Sequence, residues 1–478
     1  MELRTETSCL LTLRLRFSKS DDDTKRIEVI GDSPGARRAR WENLYVMCHG
    51  YCRDHRLFCN PLRGKAVQCS FLSLRNRIDR PLRLLLDERV FPIATTQLEP
   101  ICQHCVRRTH ADIQLVFSLH CVRSDAGLEY MTGVPTGSNA AGAATSTGHR
   151  FRAESGDWGT SLWGMKGVED LGGGNKAVFQ LEGSFNTMTG QGPGNNGIFN
   201  RWATVGIAND QFGTFLLGRE LFISNGVWDF DPFGQSNWSS ASLVRGRNWP
   251  QSSNNVSYQS PKVAGFDFYG QYALSNATNW NGNGTTPQGR EAGAQVTYTT
   301  SLFQVRGMYD EIRNAANGAL YGPNPGDINA GNVSSGVFAA SREYTAAVNV
   351  FLGQFKIQGA YQAIRTSGAT NVLPGQPTSL DHEWGGITWQ ATPAAAIIAA
   401  AYHVNGNNGA GNATIYTVGG SYNLSKRTLL DIQVATAQNS KGANYGLNAN
   451  NSGTAVSTDN PLPGHSQSGV YAGIQHTF

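Results

Sequence analysis

The sequence predicts an all-β chain: a sixteen-stranded antiparallel transmembrane barrel over residues 125–478, preceded by a 124-residue segment with no recognisable fold. Three observations carry this. Stretches of 8–12 residues alternate apolar and polar side chains with period two, the mark of a strand with two unlike faces. The connections between them alternate between short and long, as in outer-membrane barrels. The composition fits neither helical membrane proteins nor ordinary soluble domains. Charged residues are 15% and Gly is 56 of 478, against a typical ~25% and ~7%. The longest apolar run, Ala394 to Tyr402, is far short of the ~18 residues a spanning helix needs.

The strands are placed near 125–131, 161–171, 176–186, 201–210, 214–222, 254–262, 266–275, 290–300, 303–313, 342–352, 355–365, 383–392, 396–405, 413–424, 429–439 and 467–478. Ala177, Phe179, Leu181 and Phe185 oppose Lys176, Gln180 and Glu182. Phe266, Phe268 and Tyr272 oppose Asp267 and Gln271. Val305 and Tyr309 oppose Gln304, Arg306 and Asp310. Ile357 and Tyr361 oppose Lys356, Gln358 and Gln362, and Ile432 and Val434 oppose Asp431 and Gln433. Short turns are expected at Gly172–Asn175, Gln211–Gly213, Ala264–Gly265 and Ser425–Arg427. Long loops are expected at 187–200, 276–289, 315–341, 366–381, 406–412 and 440–464. Aromatics near strand ends, among them Tyr258, Tyr309, Trp384, Trp389, Tyr402 and Tyr422, suit interfacial girdles. An even strand number closes an up-and-down barrel, the only sheet that satisfies all its edge groups in lipid. Sixteen strands leave an aqueous channel rather than a packed core.

The first 124 residues differ abruptly. They hold all eight cysteines and 21 Lys+Arg against 14 Asp+Glu, a net of +7; the remainder holds 18 against 21, a net of −3. The total of +4 therefore does not point the main body toward nucleic acid. Cys9–Phe17 is interrupted by Arg14 and Arg16, so no uninterrupted apolar core marks an export signal. Cys48-x3-Cys52 and Cys102-x2-Cys105, with His49, His55, His104 and His110 nearby, have roughly ligand-like spacing. The gap between the pairs is too long for a small zinc ribbon. The segment is expected to be disordered or not part of the working protein.

Several hairpins in order carry a resemblance. Ser161-Leu-Trp-Gly-Met-Lys-Gly-Val-Glu-Asp-Leu-Gly-Gly-Gly174 with Lys176-Ala-Val-Phe-Gln-Leu-Glu182, Phe199-Asn-Arg-Trp-Ala-Thr-Val-Gly-Ile207, Phe212-Gly-Thr-Phe-Leu-Leu-Gly-Arg219 and Asn254-Asn-Val-Ser-Tyr-Gln-Ser-Pro261 resemble Gram-negative general porins of the betaproteobacterial (Burkholderia/Bordetella/Neisseria) type. The resemblance covers about 125–478. It implies an outer-membrane barrel with one loop folded inward as a constriction, passive diffusion of ions and small polar solutes, and no cofactor. It further implies a homotrimer, contact with outer-membrane lipid and lipopolysaccharide, and delivery by the barrel-assembly machinery, with Phe478 as the assembly signal. Cys121-Val-Arg-Ser124 departs from the family's first strand, so a shortened first strand and a damaged seam with the last strand are expected.

By the same resemblance the third outer loop, about Ile223–Leu243, narrows the lumen and sets Asp229 or Asp231 opposite the wall. Arg245 and Arg247 follow it as a basic wall cluster. Strand parity turns Lys166, Arg219, Arg306 and Lys356 inward, because an Arg or Lys in lipid costs roughly 2–4 kcal/mol at the midplane. A basic wall facing an acidic loop makes a transverse field at the narrowest point, which orders polar solutes.

An enzyme is not expected. His149, His382, His403, His465 and His476 are scattered, and no Ser/His/Asp cluster stands out. Gly172-Gly-Gly174 is a hairpin turn, since no helix follows to bind phosphate. The alternatives are a substrate-selective channel and an adhesin or receptor with a closed lumen.

Overall fold

In the computed structural model, side chains are described from Val122 onward, except 193–196, 245–249, 274–290, 313–340, 368–374, 376 and 450–458. Ahead of Val122 only the backbone of strands is described. The chain forms two units. The first includes His120–Gly164 and Phe179–Phe478; the second includes Leu10–Leu119 and Met165–Val178. In the second unit lie six short strands: β1 (Thr12–Lys19), β2 (Lys25–Gly31), β3 (His55–Leu62), β4 (Ala66–Ser73), β5 (Arg83–Leu86) and β6 (Arg89–Pro92). β1 pairs with β2, β3 with β4 and β5 with β6, all antiparallel. Cys48, Cys52, Cys102 and Cys105 lie outside the described residues.

The long strands follow: β7 (Leu115–Ser138), β8 (Ala144–Glu154), β9 (Leu162–Gly172), β10 (Asn175–Ser184), β11 (Trp202–Asn209), β12 (Gly213–Leu221), β13 (Gln251–Gln259), β14 (Phe266–Leu274), β15 (Arg290–Thr299), β16 (Phe303–Arg313), β17 (Ala340–Leu352), β18 (Phe355–Ser367), β19 (Ser379–Gln390), β20 (Ala395–Gly406), β21 (Gly411–Asn423), β22 (Thr428–Asn439) and β23 (Gln467–Thr477). β8 and β9 both pair with β7, so they are one stave interrupted at 155–161. The result is a closed antiparallel barrel of sixteen staves. Closure is the β7–β23 seam, from Arg123↔Thr477 to Thr132↔Ser468, extended by the Phe478 N–H donating to the Val122 carbonyl at 2.9 Å.

The seam corrects an expectation. The first strand is not cut short at Asp125, although the composition changes there. Ladder bonds are made by backbone groups, so Val122–Ser124 pair whatever their side chains. From Asp125 onward the alternation is regular: Asp125 and Glu129 are buried while Leu128 and Tyr130 are exposed. Two further differences concern connections. The strand β8 was not anticipated. Residues 407–410, expected to sit in a long loop, make a four-residue turn between β20 and β21 with Asn408 and Gly409 at positive φ.

The two faces of the sheet are the inverse of a soluble protein's. Val205, Ile207, Leu217, Val296, Val305, Tyr309, Ile357, Tyr361, Ile397, Val418, Ile432, Val434 and Ile474 are exposed. Their neighbours along the strands, including Thr297, Arg306, Gln358, Gln362, Thr417, Asp431 and Gln433, are buried. Alternation of this kind sets apolar side chains toward lipid and polar ones toward the interior. Tight turns maintain it: Gly353 and Gln354 join β17 to β18, Leu352 pairs with Phe355, and Gly353 takes the positive φ of 61° that such hairpins require.

Candidate pore constriction

The segment after β12 does not run outward. It forms a 3-10 helix, Ile223–Phe230, and a shorter one, Ser240–Ser242, and crosses the inner wall. Phe222, Ile223, Val227, Phe230, Phe233, Trp238 and Leu243 are all buried. Glycines in the wall leave room for it. A Cβ at Gly293 would stand 2.3 Å from Ile223 Cγ2, and one at Gly386 would stand 2.5 Å from Pro232 Cγ.

Polar groups of successive strands hold the loop. Arg306 on β16 donates from Nη1 to the Gly226 carbonyl at 2.7 Å and to Asp229 Oδ2 at 2.8 Å. Its Nε donates to Thr297 on β15 at 3.0 Å, and its guanidinium lies over the Phe230 ring. The Asp229 carbonyl accepts from Asn349 (3.1 Å), Lys356 (3.4 Å) and Gln358 (3.1 Å). Trp384 on β19 donates to the Phe230 carbonyl at 3.0 Å. Tyr402 on β20 donates to Asp231 Oδ1 at 2.8 Å. Thr417 on β21 donates to the Trp238 carbonyl at 2.6 Å, and Trp238 meets Tyr471 of β23 edge-on.

This placement rearranges the residues expected to face one another. Arg306 and Lys356 do face inward, but they lie beneath the loop rather than across the water from it. Arg306 is 8% exposed while the Asp229 carboxylate keeps 39%, so the acid shows one side to the lumen. Asp231 does not line the lumen. It is buried and accepts from Tyr402, the Phe233 N–H at 2.8 Å and the Ser240 N–H at 3.2 Å. Burial pushes its carboxyl above the usual range, against the pull of those bonds. The acid that shapes the loop is thus distinct from the acid that meets solvent.

Arg219 sits half-buried on β12, away from these anchors. It donates to the Asn200 carbonyl at 2.7 Å, to Ser253 Oγ and to Gln251 Oε1 at 3.2 Å. These oxygens orient the guanidinium. Lys166 is half-buried on β9, within the second unit. Arg245 and Arg247 lie outside the described residues. Phe478 is exposed, its ring edge-on to His476.

Trp384 and Tyr402 were expected in the aromatic girdles, yet both face inward as loop anchors. Parity carries the signal for Trp384: Ile387 and Trp389 on β19 are exposed, which turns Trp384 to the other face. The polar anchors Asn349, Gln358 and Thr417 carry only inward parity, which many residues share.

Known proteins agree with this architecture. A sequence profile of the Gram-negative porin family matches residues 123–443. An outer membrane porin protein of Bordetella pertussis is 33% identical over 183 residues, 36% of this chain and 47% of that protein. Outer membrane porin protein 32 of Delftia acidovorans is 27% identical over 341 residues, 67% of this chain and 85% of that protein. The chain thus spans about half of the first relative's length and most of the second's. In structure, an anion-selective porin from Comamonas acidovorans superposes with a TM-score of 0.59 at 23% identity, over 77% of this chain and 99% of that one. OmpT of Vibrio cholerae superposes with a TM-score of 0.50 at 11% identity, over 78% of this chain and 100% of that one. With a family match over two thirds of its length, a closed sheet that is apolar outside, and a loop crossing the interior, the chain belongs to the Gram-negative porin family, barrels of the outer membrane.

Proposed function

We propose that the protein forms a water-filled channel for passive diffusion of ions and small hydrophilic solutes across the outer membrane, with a preference for anions. The observation that carries the channel is the inverted sheet: polar groups line the interior of a closed sixteen-stave ladder, too wide to be filled by side chains. Among the described residues the anchors of the constriction loop run from β15 to β23, and Arg219 on β12 stands outside them, beside the solute path.

Charge placement supports anion preference. Arg306 and Lys356 offset Asp229 and the backbone carbonyls beneath the loop, and Asp231 is enclosed, so the acids are compensated locally. The Asn200 carbonyl and Gln251 orient the Arg219 guanidinium on the β12 wall, and Arg245 and Arg247 follow the loop in sequence. A preorganised cation at a narrow aqueous passage favours anions. The structurally similar Comamonas porin is described as anion-selective, in line with this reading.

A homotrimer, contacts with lipopolysaccharide and delivery by the barrel-assembly machinery through the terminal Phe478 belong to the same reading. Planar-bilayer recording across a salt gradient tests it: discrete open steps and a reversal potential of the sign set by anions are expected. Folded, inserted protein without steps contradicts the channel.

A further inference from the structure

The tail of the constriction loop is held by more than the wall. Asn237 stands between two other segments. Its amide oxygen accepts from the Ala449 N–H at 3.1 Å, in the connection between β22 and β23. Its amide nitrogen donates to Asp157 Oδ1 at 2.6 Å, in the break between β8 and β9. Next to it, the Trp238 N–H donates to the Leu447 carbonyl at 3.1 Å, and Ser242 Oγ donates to the same carbonyl. Leu447 is itself braced: its N–H donates to Gln467 Oε1 at 2.7 Å, and Gln467 Nε2 donates to the Asp459 carbonyl at 2.7 Å. The Asp459 carboxylate pairs with Arg150 and Arg152 of β8. Trp238 holds φ at 64°, a conformation a bulky residue keeps only when its surroundings impose it. Three segments remote in sequence therefore meet at one amide, which uses both its acceptor and its donor.

We propose that Asn237 is a positioning residue for permeation: it fastens the tail of the constriction loop to the break in the second stave and to the connection between β22 and β23, and so holds the pore at one open size. The inference rests on the channel reading above.

The contact can be broken and rebuilt without changing side-chain size. Asn237→Asp keeps the acceptor toward Ala449 but sets a carboxylate against Asp157. Two carboxylates in contact do not both ionise readily, so one keeps its proton to a raised pH. In acid the shared proton restores the bridge; in base the pair repels. The double variant Asn237→Asp with Asp157→Asn exchanges donor and acceptor and rebuilds the bridge at either pH. The charged groups that face Asp157, namely Glu129, Glu154, Arg152 and Asp431, are the same in all three proteins.

Full-chain proteins are inserted in planar bilayers at pH 5, recorded, and recorded again after the bath is raised to pH 8. Wild type and the double variant are expected to stay steady at both. Asn237→Asp is expected to match them at pH 5 and to show a roughly tenfold rise in brief closures at pH 8. An Asn237→Asp channel as steady as wild type at pH 8, or disturbed equally at both pH values, overturns the inference while leaving the channel reading intact. A double variant that stays disturbed also overturns it. A folded wild type that never opens contradicts the channel reading itself.

Discussion

Arg306 Nη1 and Asp229 Oδ2 meet at 2.8 Å, so the loop's water-facing acid is compensated by the wall beneath it rather than by a basic wall across the lumen. The same arginine reaches the Gly226 carbonyl and Thr297. One side chain therefore both fixes the first turn of the loop and pairs with the acid that the loop shows to solvent.

Replacing it separates those roles. Arg306→Gln keeps a hydrogen-bond donor under the loop but leaves Asp229 without its ion pair. A unit charge acts on an ion about 4 Å away in water with about 1 kcal/mol, or a factor of about five in preference. The anion-to-cation permeability ratio is expected to fall by up to that factor, read as a shift in reversal potential across a salt gradient. An unchanged potential sinks the assignment.

Loop seating depends on missing side chains in the wall. Gly293→Ala puts a methyl 2.3 Å from Ile223 Cγ2, and overpacking of this kind costs about 1–3 kcal/mol. The start of the loop is expected to shift and single-channel conductance to change. Gly307→Ala is the control, since a Cβ there meets nothing within 4 Å, and its conductance is expected to match wild type.

How much of this was legible in the sequence follows from which residues carry it. Alternation such as Ile432 and Val434 against Asp431 and Gln433 states the lipid and lumen faces directly, because in a membrane both faces are under constraint. The strand β8 is hidden in the sequence because Ala144–Glu154 has little apolar alternation beyond Phe151. The first strand was underestimated because backbone pairing tolerates an unfamiliar sequence at Val122–Ser124. In the site, Arg306 and Lys356 could be turned inward by parity. That they lie under the loop depends on which wall the loop follows, which is set by contacts such as Trp384 to Phe230 and Tyr402 to Asp231. No local pattern records those.

The lipid face gives a stability prediction. Val434 lies in the exposed apolar band, 48% accessible. Val434→Arg is expected to destabilise the folded barrel by roughly 2–4 kcal/mol, read as a lower folded yield in lipid vesicles, whereas Val434→Leu folds like wild type. Equal folding of the arginine variant would place that face away from lipid.

Asp157 adds a pH dependence. Burial foremost, with Glu129 nearby, pushes its carboxyl up to about 7 from the ordinary 3.8. A raised carboxyl favours the folded state in its protonated form. Its contribution is fully present below about pH 3.8 and is lost as pH rises through about 7. Asp157→Asn removes that loss. The temperature at which the folded electrophoretic form disappears is expected to decline between pH 4 and 7 more steeply in wild type than in the variant; parallel declines would contradict it.

Planar-bilayer recording of the full chain across a salt gradient tests the central claim most directly. Discrete open steps with a reversal potential on the anion side are the predicted result. Folded, membrane-inserted barrels that pass no current would contradict an open lumen beside the constriction loop.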